Sequence, residues 1–401
     1  MGEDMNQQPL TGVTVLDFGQ VYNGPYCGFL LAQGGARVIK VESLIGETLR
    51  ARGNTSASSF AFSLLNSNKE SMTLNIKSEE GQDLLKTLAA EVDVVFENFA
   101  PGTMDRYGIG AEALRAVNPR LVYASSTGYG ISAGPYRDYL GMDITLQAMT
   151  GVMSITGENS GPPLKTAAAF ADFIAGTHLY GAIVSALYSR EQTGEGATVD
   201  ISMQDCVFPT LATALGSYYV TGDQQPRAGN RHPGQALAPY NVYEASDGHV
   251  AIICIREGHW RKLCKAMGAP EVAEDPRFTT FAQRAKHIDE VDEVVNQWTR
   301  QHSKAEVFAT AQDHGVICAP VKDLQDVLDD PHLAERGTLQ RSKHEAFGEI
   351  AQMQTPLRFK DIEPPALTPP PALGGATDQV LLELGGLTEQ QIQALRDAEA
   401  I

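Results

Sequence analysis

Short apolar runs alternate with helix-like stretches through the first half of the chain, and this alternation constrains the fold more than any other feature. The helix-like stretch "SEEGQDLLKTLAAEV" is typical of the intervening segments, and Ser78 is expected to cap it. Strands that alternate with helices predict a parallel, doubly wound sheet, which binds ligands beyond the carboxyl ends of its strands. The predicted strands are "VTVLDFG", "ARVIKVE", "SMTLNIK", "DVVFENF" and "LVYASSTGYG".

The pattern changes after "TVDISMQDCVF", where a polar loop rich in Gly and Pro is followed by a predicted hairpin and helices. The hairpin is "NVYEASDGHVAIICI", with its turn at Ser246-Asp247-Gly248. The chain ends in a Pro-rich connector and a helix that Thr388 is expected to cap. We therefore expect a large α/β domain over 1–224, a smaller α+β domain over 225–325 and a C-terminal segment over 326–401.

Composition argues against several classes of protein. The formal net charge of −18 disfavours broad binding to nucleic acid or to an anionic membrane surface. No apolar run is expected to reach the roughly 18 residues that span a membrane, and the polar, acidic N-terminus does not resemble a secretory signal. The five cysteines are widely spaced and show no metal-ligand spacing. These features predict a cytoplasmic protein with packed thiols and no metal site.

The glycine-rich stretch "GYGISAG" (Gly128 to Gly134) does not match a dinucleotide-binding fingerprint. Its last glycine is one residue too far along the chain, and each glycine of that fingerprint has its own steric task. The sequence has no Walker A motif either. These glycines are therefore expected to serve turns.

Asp172 is the only formally charged side chain between Lys165 and Arg190, in the segment "AAAFADFIAGTHLYGAIVSALYSR". Burial of an unpaired charge is costly, so this carboxylate needs an explanation. Apolar spacing places it at the start of a helix, where free N–H groups favour an ionised acid. Two interpretations remain open: an N-cap that stabilises the helix, or a nucleophile that attacks an activated carbonyl. Gly176 and Gly181 are expected to allow close approach of another backbone or of a bulky ligand.

Several ordered motifs resemble the class III CoA-transferase family, which also contains α-methylacyl-CoA racemases. The resemblance extends over nearly the whole chain and implies a Rossmann-like large domain built from both chain ends. It also implies an interlocked homodimer that uses CoA and acyl-CoA as substrates, with no permanently bound cofactor. The motifs are "GARVIKVE", "NSNKESMTLNIK", "ENFAPGTMDRYGIG", "NPRLVYASSTGYG", "GPPLKTAAAFADFIAG" and "TGEGATVDISMQD".

By position, Asp172 corresponds to the family's catalytic aspartate, which forms an anhydride with the donor acyl group and then an aspartyl-CoA thioester. Lys69 and Lys77 are further basic candidates for the phosphates of CoA, although each also fits an ordinary solvated surface charge. The resemblance assigns CoA binding to Val21, Leu74, Asn98, Phe99 and Arg106.

Departures from the family pattern bear on the substrate. Tyr22 and Ser43 replace a Gln and an Arg of the formyl-CoA transferases, which disfavours formyl-CoA and oxalate. Met142 replaces the His that pairs with the Asp in the racemases, and a thioether carries no proton. CoA transfer between carboxylic acids is therefore the leading hypothesis. Racemisation or isomerisation at C2 of an acyl-CoA is the alternative, and a catalytically silent CoA-binding protein is the third hypothesis.

The acyl group or the acceptor is expected to contact Tyr22, Met142 and, in the polar loop rich in Gly and Pro, His232. Asp143 is expected to be structural, although the resemblance to the racemases places it beside the site. His178 follows Asp172 by six residues and so does not share its helix face, which predicts a packed or interface histidine.

Overall fold

The computed structural model describes residues 7–50, 57–344 and 346–401, and the chain forms two compact units. The first unit comprises Met1–Met149, Ala167–Phe208 and Asp330–Ile401, and the second comprises Thr150–Thr166 and Pro209–Asp329. The N-terminal part of the first unit thus extends to Phe208, whereas the predicted boundary was residue 224, and the chain returns to this unit at Asp330, close to the predicted residue 326. The short segment Thr150–Thr166 belongs to the second unit, which the predicted boundaries also missed.

The strands form three sheets, of six, three and two strands. In chain order they are β1 (Thr14–Phe18), β2 (Arg37–Glu42), β3 (Glu70–Thr73), β4 (Val94–Glu97), β5 (Val122–Thr127), β6 (Thr198–Ser202), β7 (Tyr240–Ala245), β8 (Gly248–Ile253), β9 (Ile317–Pro320), β10 (Leu339–His344) and β11 (Gly348–Met353).

Helices connect most of these strands, and short 3₁₀ segments occur at Phe208–Leu211 and Pro270–Glu274. The α-helices are α1 (Asn23–Gln33), α2 (Ala57–Leu65), α3 (Glu79–Ala89), α4 (Thr103–Arg106), α5 (Ala111–Val117), α6 (Asp143–Met149), α7 (Val152–Ile155), α8 (Phe170–Thr193), α9 (Met203–Val207), α10 (Ala212–Thr221), α11 (Glu257–Ala266), α12 (Phe281–Lys286), α13 (Ile288–Thr299), α14 (Lys304–Asp313), α15 (Leu324–Leu328), α16 (Pro331–Glu335), α17 (Thr377–Glu383) and α18 (Glu389–Asp397).

The six-stranded sheet of the first unit is parallel throughout, in the order β3-β2-β1-β4-β5-β6. Leu16 at its centre lies beside Ile39 on one side and Val95 on the other. This arrangement confirms the predicted parallel α/β sheet. The chain reverses direction across the sheet between β1 and β4, which is where such sheets bind ligands.

Helices cover both faces of this sheet. Leu16 and Val95 point into a core shared with α3, α5 and the C-terminal helices α17 and α18. Val15 and Phe96, one residue along each strand, point to the opposite face and pack with α1 and α8. Because side chains alternate along a strand, one sheet can bury both faces, and the sheet is doubly wound as predicted.

The predicted helix caps are present. The Ser78 hydroxyl accepts a hydrogen bond from the Gly81 N–H at 3.1 Å at the start of α3. Thr388 forms a reciprocal capping box with Gln391 at the start of α18. Both helices therefore begin where their sequence signals indicate.

Within the described ranges, α8 is the one helix long and apolar enough to cross a membrane by length and composition. The expectation that no run reaches that length was therefore wrong. Leu179 and Ile183 of this helix are fully buried in the core that contains Val15. Packing against the sheet thus accounts for the apolar residues on the buried face of this helix.

The second unit contains the antiparallel sheet β7-β8-β9, which confirms the predicted hairpin. Tyr243 and Val250 of that hairpin are fully buried in a core with Trp260 of α11 and Val291 of α13. Strands and helices of this unit are mixed without a parallel crossover, as expected for an α+β domain.

Candidate active site

The helix that carries Asp172 begins in an unusual way. Ala169 occupies the N-cap of α8 and provides no side-chain hydrogen bond, and Asp172 is the third helical residue. The Asp143 Oδ1 atom accepts hydrogen bonds from the Ala171 N–H at 2.8 Å and the Asp172 N–H at 3.4 Å. The N-cap interpretation of Asp172 was therefore wrong, because Asp143 satisfies these donors from α6. The expectation that Asp143 is structural is confirmed.

The Asp172 carboxyl is buried, with 9% of the residue exposed. Among residues 7–50, 57–344 and 346–401 it has no hydrogen-bond or ion-pair partner. Burial, with a smaller contribution from the Asp143 charge, raises the pKa of Asp172 to about 7. The sequence suggested that the N-terminus of the helix keeps this acid ionised. Desolvation of the charged carboxylate outweighs the effect of the helix terminus, so Asp172 is not held fully ionised.

Aromatic rings from α1 and the preceding turn lie against the residue that follows Asp172. The Tyr22 ring stacks on Phe173 at a centroid distance of 6.0 Å, and the Tyr26 ring meets Phe173 edge-on at 4.9 Å. Gly176 permits this contact, since a Cβ there would lie 2.6 Å from the Asn23 carbonyl oxygen. The close approach predicted for Gly176 is confirmed.

Apart from the adjacent backbone of α8 itself, no described atom lies within 4 Å of the position that a Cβ would take at Gly181. The close approach predicted there is therefore not made within the described part of this chain. The two glycines differ although they are five residues apart on one helix, because only Gly176 faces α1.

The turn between β1 and α1 is strained and tightly held. Val21 has φ of 62°, a conformation that β-branched residues rarely adopt. The Asn98 side chain clamps Gln20, accepting from its N–H at 2.7 Å and donating to its carbonyl at 3.1 Å. Lys40 donates to the Gly19 carbonyl at 2.7 Å. Asn98 therefore acts here on the protein backbone, through both atoms of its amide.

A cavity of about 380 Å³ opens beyond the carboxyl ends of four neighbouring strands. Phe18, Val41, Leu74 and Phe99 line it, one from each strand end, and they provide an apolar wall. Lys77 also lines it and is exposed. Apolar walls with a cation at the rim suit a ligand that has a planar ring and phosphate groups.

Arg106 lies beside this cavity without lining it. Its Nη2 donates to the hydroxyl of the lining residue Thr103 at 3.0 Å, and the side chain is exposed. Of the five predicted CoA-binding residues, the structure places Leu74 and Phe99 in the cavity wall. Val21, Asn98 and Arg106 are neighbours of lining residues.

A sequence profile described as CoA-transferase family III matches residues 10–377. The chain belongs to this family. It is 33% identical over 405 residues to succinyl-CoA--D-citramalate CoA-transferase of Chloroflexus aurantiacus, with both chains covered completely. It is 32% identical over 416 residues to formyl-CoA:oxalate CoA-transferase of Streptomyces coelicolor, covering 99% of this chain and 100% of that one.

The fold also matches a solved structure. A CAIB/BAIF family protein from Brucella suis aligns with a TM-score of 0.82 at 34% identity, covering 94% of this chain and 100% of that one. Family membership and this agreement of fold identify the chain as a CoA-transferase enzyme. The resemblance seen in the motifs is confirmed.

Lys69 differs from its prediction. Its side chain is fully buried and its Nζ donates to Asp17 Oδ2 at 2.8 Å, to Asn66 Oδ1 at 2.9 Å and to the Pro25 carbonyl at 3.0 Å. It is neither a solvated surface charge nor a free cation for a phosphate. Lys69 lies beside the turn between β1 and α1, and its Nζ donates all three of its hydrogen bonds within the protein. Its role in this member of the family is therefore structural.

The remaining candidates are placed as follows. Met142 is exposed, just before α6. His178 is also exposed, with Nδ1 2.9 Å from the Ile174 carbonyl oxygen, so it is not packed within the chain; an interface role stays a prediction. His232 lies in the second unit with its ring 5.4 Å from that of Tyr240, and burial lowers its pKa. Its contact with substrate stays a prediction.

Sequence reasoning overlooked Glu47. Its Oε2 accepts a hydrogen bond from the Val21 N–H at 3.2 Å, and only 2% of the residue is exposed. An acid shortly after a buried strand, in "VESLIGETLR", was the available signal. Nothing in that loop indicates that it reaches the turn after β1, because this contact depends on the pairing of β1 with β2.

Proposed function

We propose that this enzyme moves CoA from an acyl-CoA donor to a carboxylic acid through covalent intermediates at Asp172. The observation that carries the proposal is a buried carboxyl with no partner in the described parts of the chain, and this burial raises the pKa of Asp172 to about 7. A desolvated carboxylate is more reactive than a hydrated one, and covalent catalysis divides a difficult exchange into easier steps.

The proposed steps balance as follows. The ionised Asp172 oxygen attacks the thioester carbonyl, a C–O bond forms, and CoA leaves as its thiolate. The thiolate attacks the Asp172 carbonyl carbon of this anhydride, so that an aspartyl-CoA thioester forms and the donor acid leaves as a carboxylate. The acceptor carboxylate then displaces CoA to give a second anhydride. CoA attacks the acceptor's acyl carbon and restores the Asp172 carboxylate.

The cavity at the strand ends is the proposed site for CoA. Leu74 and Phe99 would contact its apolar parts, and Arg106 would approach its phosphates. Val21 and Asn98 would act through the turn that borders the cavity at Gln20. The same turn leads to Tyr22 and its stack on Phe173, which supports a path from CoA to Asp172.

Racemisation at C2 of an acyl-CoA finds no support in the site. It needs a second proton-transferring group, and Met142 provides none. Asp143 is occupied, since its Oδ1 accepts from the Ala171 N–H and its Oδ2 accepts from Gln147 at 2.7 Å. We expect no exchange of the C2 proton of a branched acyl-CoA in D₂O, and measurable exchange would favour the racemase alternative.

The proposal includes a homodimer, for which large exposed apolar side chains offer support. Tyr219 and Val220 on α10 and Leu324 on α15 are each more than four-fifths exposed. A cytoplasmic location is also proposed, because all five cysteines are free and buried. Light scattering of the purified protein tests the dimer, since a monomer would contradict it.

The direct test of the nucleophile is incubation with succinyl-CoA, followed by hydroxylamine and mass spectrometry of the peptide that contains Asp172. Formyl-CoA is the second donor to try, because a relative is named for it. A hydroxamate on Asp172 is expected, and none in an Asp172→Ala variant. Glu191→Gln is the matched control, since Glu191 is an exposed acid on the same helix. Normal CoA transfer by Asp172→Ala would refute the mechanism.

A further inference from the structure

The Val21 turn holds a conformation that the chain would not keep unaided. A valine at φ of 62° persists only where its surroundings hold it, and such strain is concentrated at functional sites. Three side chains form hydrogen bonds with this turn: Asn98 with Gln20, Lys40 with the Gly19 carbonyl, and Glu47 with the Val21 N–H. Of these contacts, only that of Glu47 reaches the strained residue itself.

Glu47 belongs to a loop that is closed on itself. The Ser43 hydroxyl donates to the Gly46 carbonyl at 2.7 Å, and the Glu47 N–H donates to Glu42 Oε2 at 3.2 Å. Arg50 donates to both oxygens of Glu42 at 2.9 Å. These hydrogen bonds tie the loop to Glu42 at the end of β2.

This loop has two functional sides. Ser43, Gly46 and Thr48 line the cavity at the strand ends, whereas Glu47 between them is buried and reaches Val21. The residue after Val21 is Tyr22, whose ring stacks on Phe173 beside Asp172. The loop thus connects the wall of the cavity to the neighbourhood of the nucleophile.

We propose that Glu47 is a positioning residue, which holds the strained Val21 turn and thereby sets Tyr22 against the Asp172 helix. The inference rests on the proposed function of Asp172 and extends it to a residue that does not touch the reacting atoms. It predicts that the Val21 N–H to Glu47 hydrogen bond governs the rate of acyl transfer to Asp172.

The surroundings of Glu47 favour a role in positioning the turn over a role in stabilising the fold. Its Oε1 has no hydrogen-bond partner in the described ranges, and the Lys40 Nζ lies 3.9 Å from Oε2, beyond hydrogen-bond distance. Burial raises the pKa of Glu47, so the site disfavours its charge. A buried carboxyl with one oxygen unsatisfied contributes little to stability, whereas its other oxygen has a defined contact with the turn.

The test compares Glu47→Ala with Glu47→Gln in single turnover with succinyl-CoA, measuring the rate of CoA release and of hydroxamate formation at Asp172. Glu47→Ala is expected to slow the step by about tenfold or more, because small misplacement of reacting groups has large effects on rate. Glu47→Gln should remain within about threefold of the parent, since its amide oxygen still accepts the Val21 N–H. CoA binding, measured by calorimetry, should change less than the rate.

Asp93→Ala is the matched control. The Asp93 Oδ2 accepts from the Thr14 N–H at 2.8 Å at the opposite end of β1, and its Oδ1 pairs with Arg190 near the end of α8 at 2.9 Å, so the variant removes at least as much contact, far from the turn. It should lower the melting temperature and leave the rate unchanged. Equal losses in Asp93→Ala and Glu47→Ala, or equal losses in Glu47→Gln and Glu47→Ala, would overturn the positioning role.

Val21→Gly provides a test that does not depend on the folding of Glu47→Ala. Glycine adopts φ of 62° without strain, so the variant should melt at a higher temperature and react more slowly as the turn loosens. An unchanged rate in this variant would contradict the inference. Asp172→Ala, assayed in parallel, separates the two proposals: full activity there refutes the nucleophile, whereas the Glu47 series reports on the turn alone.

Discussion

Asp172→Asn should remove activity and, at the same time, stabilise the protein in a pH-dependent way. Asparagine has nearly the shape of aspartic acid but cannot ionise, so it avoids the burial of a charge. The folded-state pKa of Asp172 is about 7 against an ordinary value of 3.8. At about 1.4 kcal/mol for each tenfold difference, this corresponds to about 4 kcal/mol of unfolding free energy that the acid forgoes when ionised.

The sign follows from proton binding. Because its pKa is raised in the folded state, Asp172 keeps its proton there between about pH 4 and pH 7, whereas the unfolded chain has lost it. The free energy of unfolding therefore falls as pH rises through this window. Below it, both states are protonated and the penalty disappears; above it, the penalty is complete.

The gain from Asp172→Asn should thus be about 2 kcal/mol near pH 5.5 and about 4 kcal/mol near pH 8, from the same pKa difference. Urea unfolding at the two pH values measures it. Glu191→Gln, which replaces an exposed acid of α8, should change stability by about 0.5 kcal/mol or less at either pH. An Asp172→Asn gain that is the same at both pH values would refute the reasoning that burial raises this pKa.

Three further predictions concern the ionisation of Asp172, the two glycines of α8 and the buried Lys69. The rate of Asp172 acylation should rise with pH and level off above about pH 7, because Asp172 attacks in its ionised form. Asp143→Asn should move this rise to lower pH, because it removes the neighbouring negative charge. Stopped-flow measurements of rate against pH test both predictions. Gly176→Ala should destabilise the protein by about 1–3 kcal/mol because its Cβ would meet the Asn23 carbonyl, whereas Gly181→Ala, with open space around it, should stabilise by up to about 1 kcal/mol in melting experiments. Lys69→Met should cost about 3–5 kcal/mol in urea unfolding by leaving Asp17 buried without its cation, and a loss below 1 kcal/mol would contradict that pairing.

The parallel sheet could be predicted because its signals are local. Apolar runs such as Thr14–Phe18 and Val94–Glu97 bury both faces, and the segment that Ser78 caps between them has helical period. The C-terminal helix shows the same local signal, a cap at Thr388. The alternation then leaves few topologies. Family motifs located Asp172 and the cavity residues Leu74 and Phe99 for the same reason, since each lies in a short stretch with its own pattern.

The boundary at Phe208 and the state of Asp172 depended on tertiary contacts. The chain leaves the first unit between Phe208 and Pro209, in a 3₁₀ segment that joins α9 to α10, and a proline between two helical stretches does not by itself mark a boundary between units. Helix propensity suggested that Asp172 caps α8, but Asp143 arrives from a helix 29 residues earlier and takes that role. Because Asp143 accepts the N–H donors at the start of α8, the Asp172 carboxyl is not needed as a cap. It is buried instead, and burial raises its pKa.

The sequence by itself therefore determined the sheet and its winding, and it singled out Asp172 as the candidate acid. Only the tertiary structure decided which carboxylate caps, which lysine is buried and which glutamate reaches Val21. Propensities and motifs act over a few residues, whereas the Asp17–Lys69 and Val21–Glu47 contacts join segments 52 and 26 residues apart. Burial, and with it the chemistry of each charge, is set by what those distant segments bring to the same place.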